Sequence, residues 1–317
     1  MTAPPFFAEP VAASNFSFLR GASSAEAMVG QAHALGMAGI GIADRNTVAG
    51  VVRAHRAWKQ VGGPGGGFRL IVGARLVFAD GTPDVVAYPT TRHGWGRLTR
   101  LLTVGNRRAE KGSCHLTLAD LLDHCEDMAL IAMDGDAALL RTLRQATPHL
   151  WLAVTMPRAG RDARLLARRM ALAAETGVPP IASNDALYTT PDTRPLHDVL
   201  TCIREGRTLQ TAGRLLAANG ERHLKPPTEM ARLFRACPHA LAATRDLFAC
   251  IAFTLNDLRY EYPHEPVPAG WEPQAWLEHL VHEAAMRKSP DGLPDAYRRT
   301  LDEEFRRLQR NESSAFD

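Results

Sequence analysis

Residues 14–50 read SNFSFLRGASSAEAMVGQAHALGMAGIGIADRNTVAG, and this stretch decides the fold. It alternates a turn, a helix, a strand and the start of a second helix. Ser23 followed by Glu26 has the form of a capping box, which predicts a helix starting there. Ala27, Met28, Ala32 and Leu35 give that helix an apolar side, and Gly36 suits its C-terminal cap. Ile40 and Ile42 lie in a run without charge until Asp44, the pattern of a strand buried on both faces. Asp44 and Arg45 then fall at the carboxyl end of that strand, where α/β proteins place their ligand sites.

Outward from this stretch the alternation continues. A helix runs on through Val51, Ala54 and Trp58 until the glycine run at 62–67. That run is a surface connection and not a phosphate loop, because no Gly-Lys-Ser/Thr follows. Strands are expected at 70–78, 84–88, 128–133, 151–155 and 180–183, with helices around 95–102, 118–122, 137–145 and 160–176. Such a pattern predicts a mostly parallel sheet, open or closed into a barrel. After Asp192 the strands stop. Helices are expected at 195–204, 208–217, 228–234, 239–249, 276–286 and 294–308, with an extended, Pro-punctuated linker at 258–273.

The 317 residues can bury a large core, and 45% hydrophobic with 22% charged residues is ordinary globular composition. A net charge of +3 is too small to argue for nucleic acid by itself. No apolar run is long enough to span a bilayer, and the N-terminus lacks the pattern of a signal peptide. The five cysteines form no CxxC pair and read as reduced thiols. The expectation is a cytoplasmic protein without membrane contact.

Seven segments, in order, carry a resemblance: SNFSFLRGAS, ADRNTVAGVVRAH, IVGARL, SNDALY, PLHDVLTCIREGRTL, ERHLKPPTEMARLF and LRYEYPHEPVP. Together they resemble the N-terminal PHP (polymerase and histidinol phosphatase) region of bacterial C-family DNA polymerases, and most closely the error-prone branch. The resemblance implies a distorted seven-stranded (β/α) barrel with a metal cluster at the C-terminal strand ends. It divides the chain into a barrel at 1–190, a helical extension packed on it at 191–257, and a linker with the truncated start of the palm at 258–317.

A PHP metal cluster needs several carboxylates and imidazoles converging on two or three divalent ions. The family pattern places its His-x-His at Val11 and Ala13, an acid at Arg20, a His at Arg45, a Glu at Arg75, and an Asp-x-His at Asp185 and Leu187. Only Asp185 survives at these positions, with Asp44 beside a lost ligand; Asp136 aligns more loosely. Guanidinium cannot ligate a metal. No Zn2+ or Mn2+ is therefore expected at the PHP site, and no cofactor for this chain. Arg45 or Arg75 is expected to pair with Asp44 or Asp185 in the old metal cavity; otherwise the arginines point to water and the acids cap turns.

The remaining constellations point less sharply. The histidines at 33, 55, 93, 115, 124 and 149 show no ligand spacing. His197, beside Asp198 on an expected helix, reads as a structural hydrogen bond. Gly39-Ile-Gly41 lacks the last glycine of a dinucleotide fingerprint. Arg158, Arg161, Arg164, Arg168 and Arg169 crowd one expected helix, as Arg97, Arg100, Arg107, Arg108 and Lys111 crowd another region. Such stripes track a phosphate backbone or form solvated or docking faces.

The resemblance implies a DNA-directed polymerase of DNA repair and replication, acting in damage-induced mutagenesis and translesion synthesis. DNA, other mutagenesis proteins and the sliding clamp are the partners it implies for the whole polymerase. This region would be scaffold or a contact module. The alternatives are a free-standing metal-dependent phosphoesterase or exonuclease, and a pure interaction module. Polymerisation needs two palm carboxylates holding Mg2+, and the one Asp-x-Asp here, Asp134-Gly-Asp136, sits early in the barrel in an expected turn. The chain alone is expected to extend no primer; templated nucleotide addition by the purified protein would contradict this.

Overall fold

A computed structural model describes residues 5–258, 267–290 and 292–314. The chain divides into two compact units, Met1–Leu258 and Arg259–Asp317. The first begins with β1 (Ala8–Ala12), α1 (Ala25–Ala34), β2 (Gly39–Arg45), α2 (Val51–Gln60), β3 (Arg69–Leu76) and β4 (Val85–Pro89). It continues with α3 (Arg92–Arg107), α4 (Leu118–His124), β5 (Met128–Ala132), α5 (Ala137–Ala146), β6 (Leu150–Val154), α6 (Asp162–Thr176) and β7 (Pro180–Ala182). Four helices complete it: α7 (Arg194–Glu205), α8 (Leu209–Ala212), α9 (Pro227–Leu233) and α10 (Pro238–Cys250).

The seven strands lie side by side in chain order. All neighbours are parallel except β4, which runs antiparallel to both β3 and β5. The sheet curls until its ends nearly meet. Ala13 N–H donates to Ala186 O at 2.9 Å and Ala186 N–H to Val11 O at 3.1 Å, which joins the end of β1 to the segment after β7. The result is a nearly closed α/β barrel.

Each face of β2 has its own partners, as its uncharged sequence requires. Ile40 and Ile42 pack outward with Met28, Val29 and Ala32 of α1. Ala43 joins Val11, Ile71, Val86, Tyr88 and Ile131 in the barrel interior. Leu247 and Phe248 of α10 belong to the same interior cluster and cover the end where the parallel strands begin. Tyr88 is wholly buried there, and its hydroxyl donates to Pro10 O at 2.6 Å. The ring needs glycine on its neighbours. A Cβ on Gly41 would meet Tyr88 Oη at 2.4 Å, and one on Gly73 would meet Ala87 O at 2.2 Å. Gly41 is thus a packing glycine with no part in dinucleotide binding.

Three local expectations need correction. Helix α1 is capped by Ser24, whose side chain accepts from Ala27 N–H, while Ser23 Oγ accepts from Thr189 N–H instead. The helix expected at 208–217 shrinks to α8 and a short 3-10 turn, because Gly213 takes a positive φ of 51°. Strand β1 was not anticipated at all. Glu9 and Pro10 argue against a buried strand, yet β1 tolerates Pro10 where its register on β2 shifts between Glu9 and Ala12.

The second unit contains α11 (Pro273–Lys288) and α12 (Asp295–Ser314), which touch where His282 stacks on Phe305 at 6.0 Å. The middle of the expected linker, 259–266, lies outside the described residues. Among the described residues no helix is long and apolar enough to cross a membrane. Cys125, Cys202 and Cys237 are buried free thiols, and Cys114 and Cys250 are half-buried ones.

Glu9 explains why an acid sits in β1. It is wholly buried, and its carboxylate accepts from Val11 N–H at 3.1 Å, Ser183 Oγ–H at 2.6 Å and Asn184 N–H at 2.9 Å. The last two bonds cross the seam of the barrel. Burial outweighs these bonds and raises its pKa from 4.5 to about 7. A raised carboxyl contributes stability that is complete below the unfolded value and is lost as pH rises through the folded one. Between about pH 4.5 and about pH 8 the native protein should lose roughly 3 kcal/mol more stability than Glu9→Gln. Urea midpoints at both pH values test this; parallel pH profiles would mean that Glu9 titrates as an ordinary surface acid.

Candidate functional site

The barrel rim at the carboxyl ends of the parallel strands gathers most of the residues singled out in the sequence. Asp44 ends β2 and is buried. Its carboxylate accepts from Ser14 N–H, Ser14 Oγ–H and Ser17 Oγ–H, each at 2.7 Å. Ser17 Oγ in turn accepts from Arg45 N–H at 3.0 Å. Burial pushes the Asp44 pKa up, against the pull of the serine bonds. The expectation that Asp44 pairs with an arginine is therefore corrected. Three donors from the loop after β1 saturate it, and among the described residues no guanidinium bonds to it.

Asp185 stands across the rim, in a left-handed backbone conformation with φ 49°. Arg75 Nη1 donates to Asp185 Oδ1 at 2.8 Å, and Arg75 Nε donates to Asp84 Oδ2 at 2.8 Å. Arg222 binds the other Asp185 oxygen through Nη2 and the Asp185 carbonyl through Nε at 2.9 Å. The Arg75 side chain is 19% exposed and that of Asp185 15%. Burial disfavours both charges, but the pairing wins on each side. Arg222 and Arg75 hold the Asp185 carboxyl below its usual range, and Asp185 with Asp84 raises the Arg75 pKa.

Two members of this network were not visible in the sequence. Asp84 reaches the rim only because β4 runs backwards, so that its first residues face Arg75 and Leu76. Arg222 arrives from a segment that runs beside 187–188, fixed by Leu187 N–H to Arg222 O at 2.8 Å and Leu224 N–H to Tyr188 O at 3.2 Å. Glu9 was missed for the same reason as its strand.

The other matched positions carry no metal donors. Val11 faces the barrel interior, and Ala13 and Leu187 pack with Tyr188. Asp136 caps α5 by accepting from Leu139 N–H at 2.9 Å. Among the described residues no three His, Cys, Asp or Glu side chains gather as a metal would require. The rim cleft holds one imidazole among the described residues, His197, and both surviving carboxylates are already engaged.

Of the two arginines offered for the pairing, Arg75 makes it, while Arg20 and Arg45 line the rim cleft without a side-chain hydrogen bond or ion pair among the described residues. His197 makes no hydrogen bond to Asp198; its Nδ1 lies 4.0 Å away. Of the five arginines expected on one helix, Arg164, Arg168 and Arg169 lie on α6, Arg161 is its N-cap residue and Arg158 precedes it. Arg158 takes φ 51° and lies 3.7 Å from Glu221. Arg169 is tied to Asp134 at 2.9 Å and to Met133 O at 3.1 Å. Arg161, Arg164 and Arg168 are exposed.

Residues 12–157, which hold most of the barrel and its reversed fourth strand, match the PHP domain family. The chain is related over nearly its whole length to bacterial error-prone DNA polymerases. It is 50% identical to the error-prone DNA polymerase of Brucella abortus biovar 1, over 97% of this chain and 29% of that protein. It is 47% identical to that of Rhodopseudomonas palustris, over 95% of this chain and 28% of that protein. The chain thus spans less than a third of the length of these relatives. Among solved structures, an amidohydrolase from Chromobacterium violaceum overlays with a TM-score of 0.37 at 15% identity, over 56% of this chain and 86% of that one.

Removing one partner of a largely buried pair leaves the other charge uncompensated and typically costs about 3–5 kcal/mol. Arg75→Ala leaves Asp84 without its ion-pair partner and Asp185 held by Arg222 alone, so a loss of about 3 kcal/mol is expected in denaturant melts. Asp185→Ala on that background should cost much less than on the native one, because the shared bond is already gone. Full additivity, or a loss below about 1 kcal/mol for Arg75→Ala, would place the guanidinium in solvent.

Proposed function

We propose that this chain is the N-terminal PHP region of an error-prone DNA-directed DNA polymerase, a nucleotidyltransferase of damage-induced mutagenesis and translesion synthesis. In it the old metal cavity is held by ion pairs. The observation that carries the reading is Asp185 gripped by Arg75 and Arg222 where the family's cluster would sit. The pairs do mechanically what metals do elsewhere: they tie together β3, the start of β4, the segment after β7 and the strand-like run at 220–225. They supply no water of lowered pKa and no open coordination position, and metal-assisted hydrolysis needs both. The names of the relatives support the polymerase assignment.

In this reading the chain serves as scaffold for a cytoplasmic polymerase. The Mg2+ of polymerisation belongs to palm carboxylates, and no Zn2+ or Mn2+ is held at the PHP site. DNA contact through the exposed Arg161, Arg164 and Arg168 would be sequence-independent, since phosphate contacts position without specifying. Docking to other mutagenesis proteins and to the sliding clamp falls to the whole polymerase.

The purified chain should bind neither Zn2+ nor Mn2+ stoichiometrically. It should release no phosphate from p-nitrophenyl phosphate and remove no nucleotide from a mispaired primer end in the presence of either ion. Metal-dependent turnover that Asp185→Ala abolishes would favour the phosphoesterase alternative and overturn this reading.

A further inference from the structure

Five guanidinium groups converge on one cleft of about 310 Å3 at the rim: Arg20, Arg45, Arg75, Arg204 and Arg222. Three of them are engaged. Arg75 and Arg222 hold Asp84 and Asp185, and Arg204 donates to Leu19 O and Glu205, each at 2.8 Å. Arg20 and Arg45 make no side-chain hydrogen bond or ion pair among the described residues, although both are half-buried. The nearby carboxylates are Asp84, Asp185, Glu205 and the serine-bound Asp44, and the first three face five cations.

These two arginines are in an unfavourable place. Burial comes first in lowering the Arg20 pKa, followed by repulsion from Arg45 and Arg204. Burial likewise lowers that of Arg45; Asp84 opposes the shift, and Arg75 and Arg204 add to it. Guanidinium stays protonated all the same. Half-buried cations that repel one another and lack an acceptor destabilise the fold unless an anion meets them.

A second, independent feature lies in the same wall. Thr201 and His197 both line the cleft and are 1% and 7% exposed. Among the described residues Thr201 Oγ and His197 Nδ1 have no hydrogen-bond partner, the latter standing 4.0 Å from Asp198 Oδ1. Buried polar atoms are paired in the great majority of cases. The cleft therefore offers two planar donor forks and unsatisfied buried polar atoms, and its acids are already engaged.

We propose that this cleft is a metal-free site for a phosphate dianion, borne by a small phosphomonoester or by the end of a nucleic acid, with Arg20 and Arg45 as its principal ligands. Planar guanidinium matches tetrahedral phosphate oxygens through paired, charge-assisted hydrogen bonds. The proposal concerns binding without turnover, and it rests on the metal-free reading of the rim given above.

The test uses the whole chain and inorganic phosphate, titrated calorimetrically at constant ionic strength, with and without EDTA. Phosphate should bind and should raise the melting temperature above that in matched chloride, with no effect of EDTA. Arg20→Gln and Arg45→Gln should each weaken phosphate binding about tenfold or more. Each should also melt no lower, and even higher, than the native chain in chloride, a combination that a merely structural arginine would not produce. Arg164→Gln, on the exposed face of α6, should bind phosphate as the native chain does. A 5′-phosphorylated oligonucleotide that displaces phosphate, where its unphosphorylated form does not, assigns the source to nucleic-acid ends. Displacement by glycerol phosphate alone assigns it to small phosphomonoesters. No phosphate binding in either buffer, or equal weakening by Arg164→Gln, overturns the proposal and leaves the metal-free reading intact. Binding that EDTA abolishes overturns both.

Discussion

The grip of Arg75 and Arg222 on Asp185 is the interaction on which the rim depends. Asp185 lies just past β7, Arg75 ends β3, and Arg222 comes from a run 37 residues further on. Parts of the chain that sheet hydrogen bonds leave apart are thereby joined by charge. A carboxylate this buried is destabilising alone and stabilising only in company. The network therefore acts as a specification: the four elements have to arrive together or leave charges stranded. The left-handed backbone of Asp185 agrees with this, because an unfavourable local conformation persists only where its surroundings impose it.

Glu9 plays the complementary part at the seam. A barrel closed by few backbone bonds needs something else to hold its two ends. Here one buried carboxylate spans from β1 to the residues after β7. Asp44 follows the same logic a strand further on, where two serines of the first loop fold back onto it. Glu9 has the seam and Asp44 the serines, while Asp185 and Asp84 share Arg75. Hydroxyls meet the carboxylate of Asp44, and guanidinium groups meet that of Asp185.

The interior is set by volume. Tyr88 fills it, and Gly41 and Gly73 leave room for the ring. Overpacking such a centre typically costs about 1–3 kcal/mol. The glycines inside β2 and β3 thus belong to the packing of a residue on β4, and inspection of β2 alone could not have revealed it.

The sequence by itself determined the alternation of strands and helices, the buried strand at Ile40 and Ile42, and the side chains without metal-donor atoms at Val11, Ala13, Arg45, Arg75 and Leu187. These properties are local: periodicity, caps and residue type are written in consecutive positions. The tertiary structure alone decided that β4 is reversed, and so that Asp84 reaches Arg75. It alone placed Arg222 on Asp185, left Arg20 and Arg45 without a side-chain hydrogen bond or ion pair among the described residues, and turned Glu9 from an apparent objection to a strand into the clasp of the barrel. Pairing between distant charges depends on which strand ends share a rim. One residue's neighbours in sequence carry no information about that, because strand direction and closure are settled by the burial of the whole sheet.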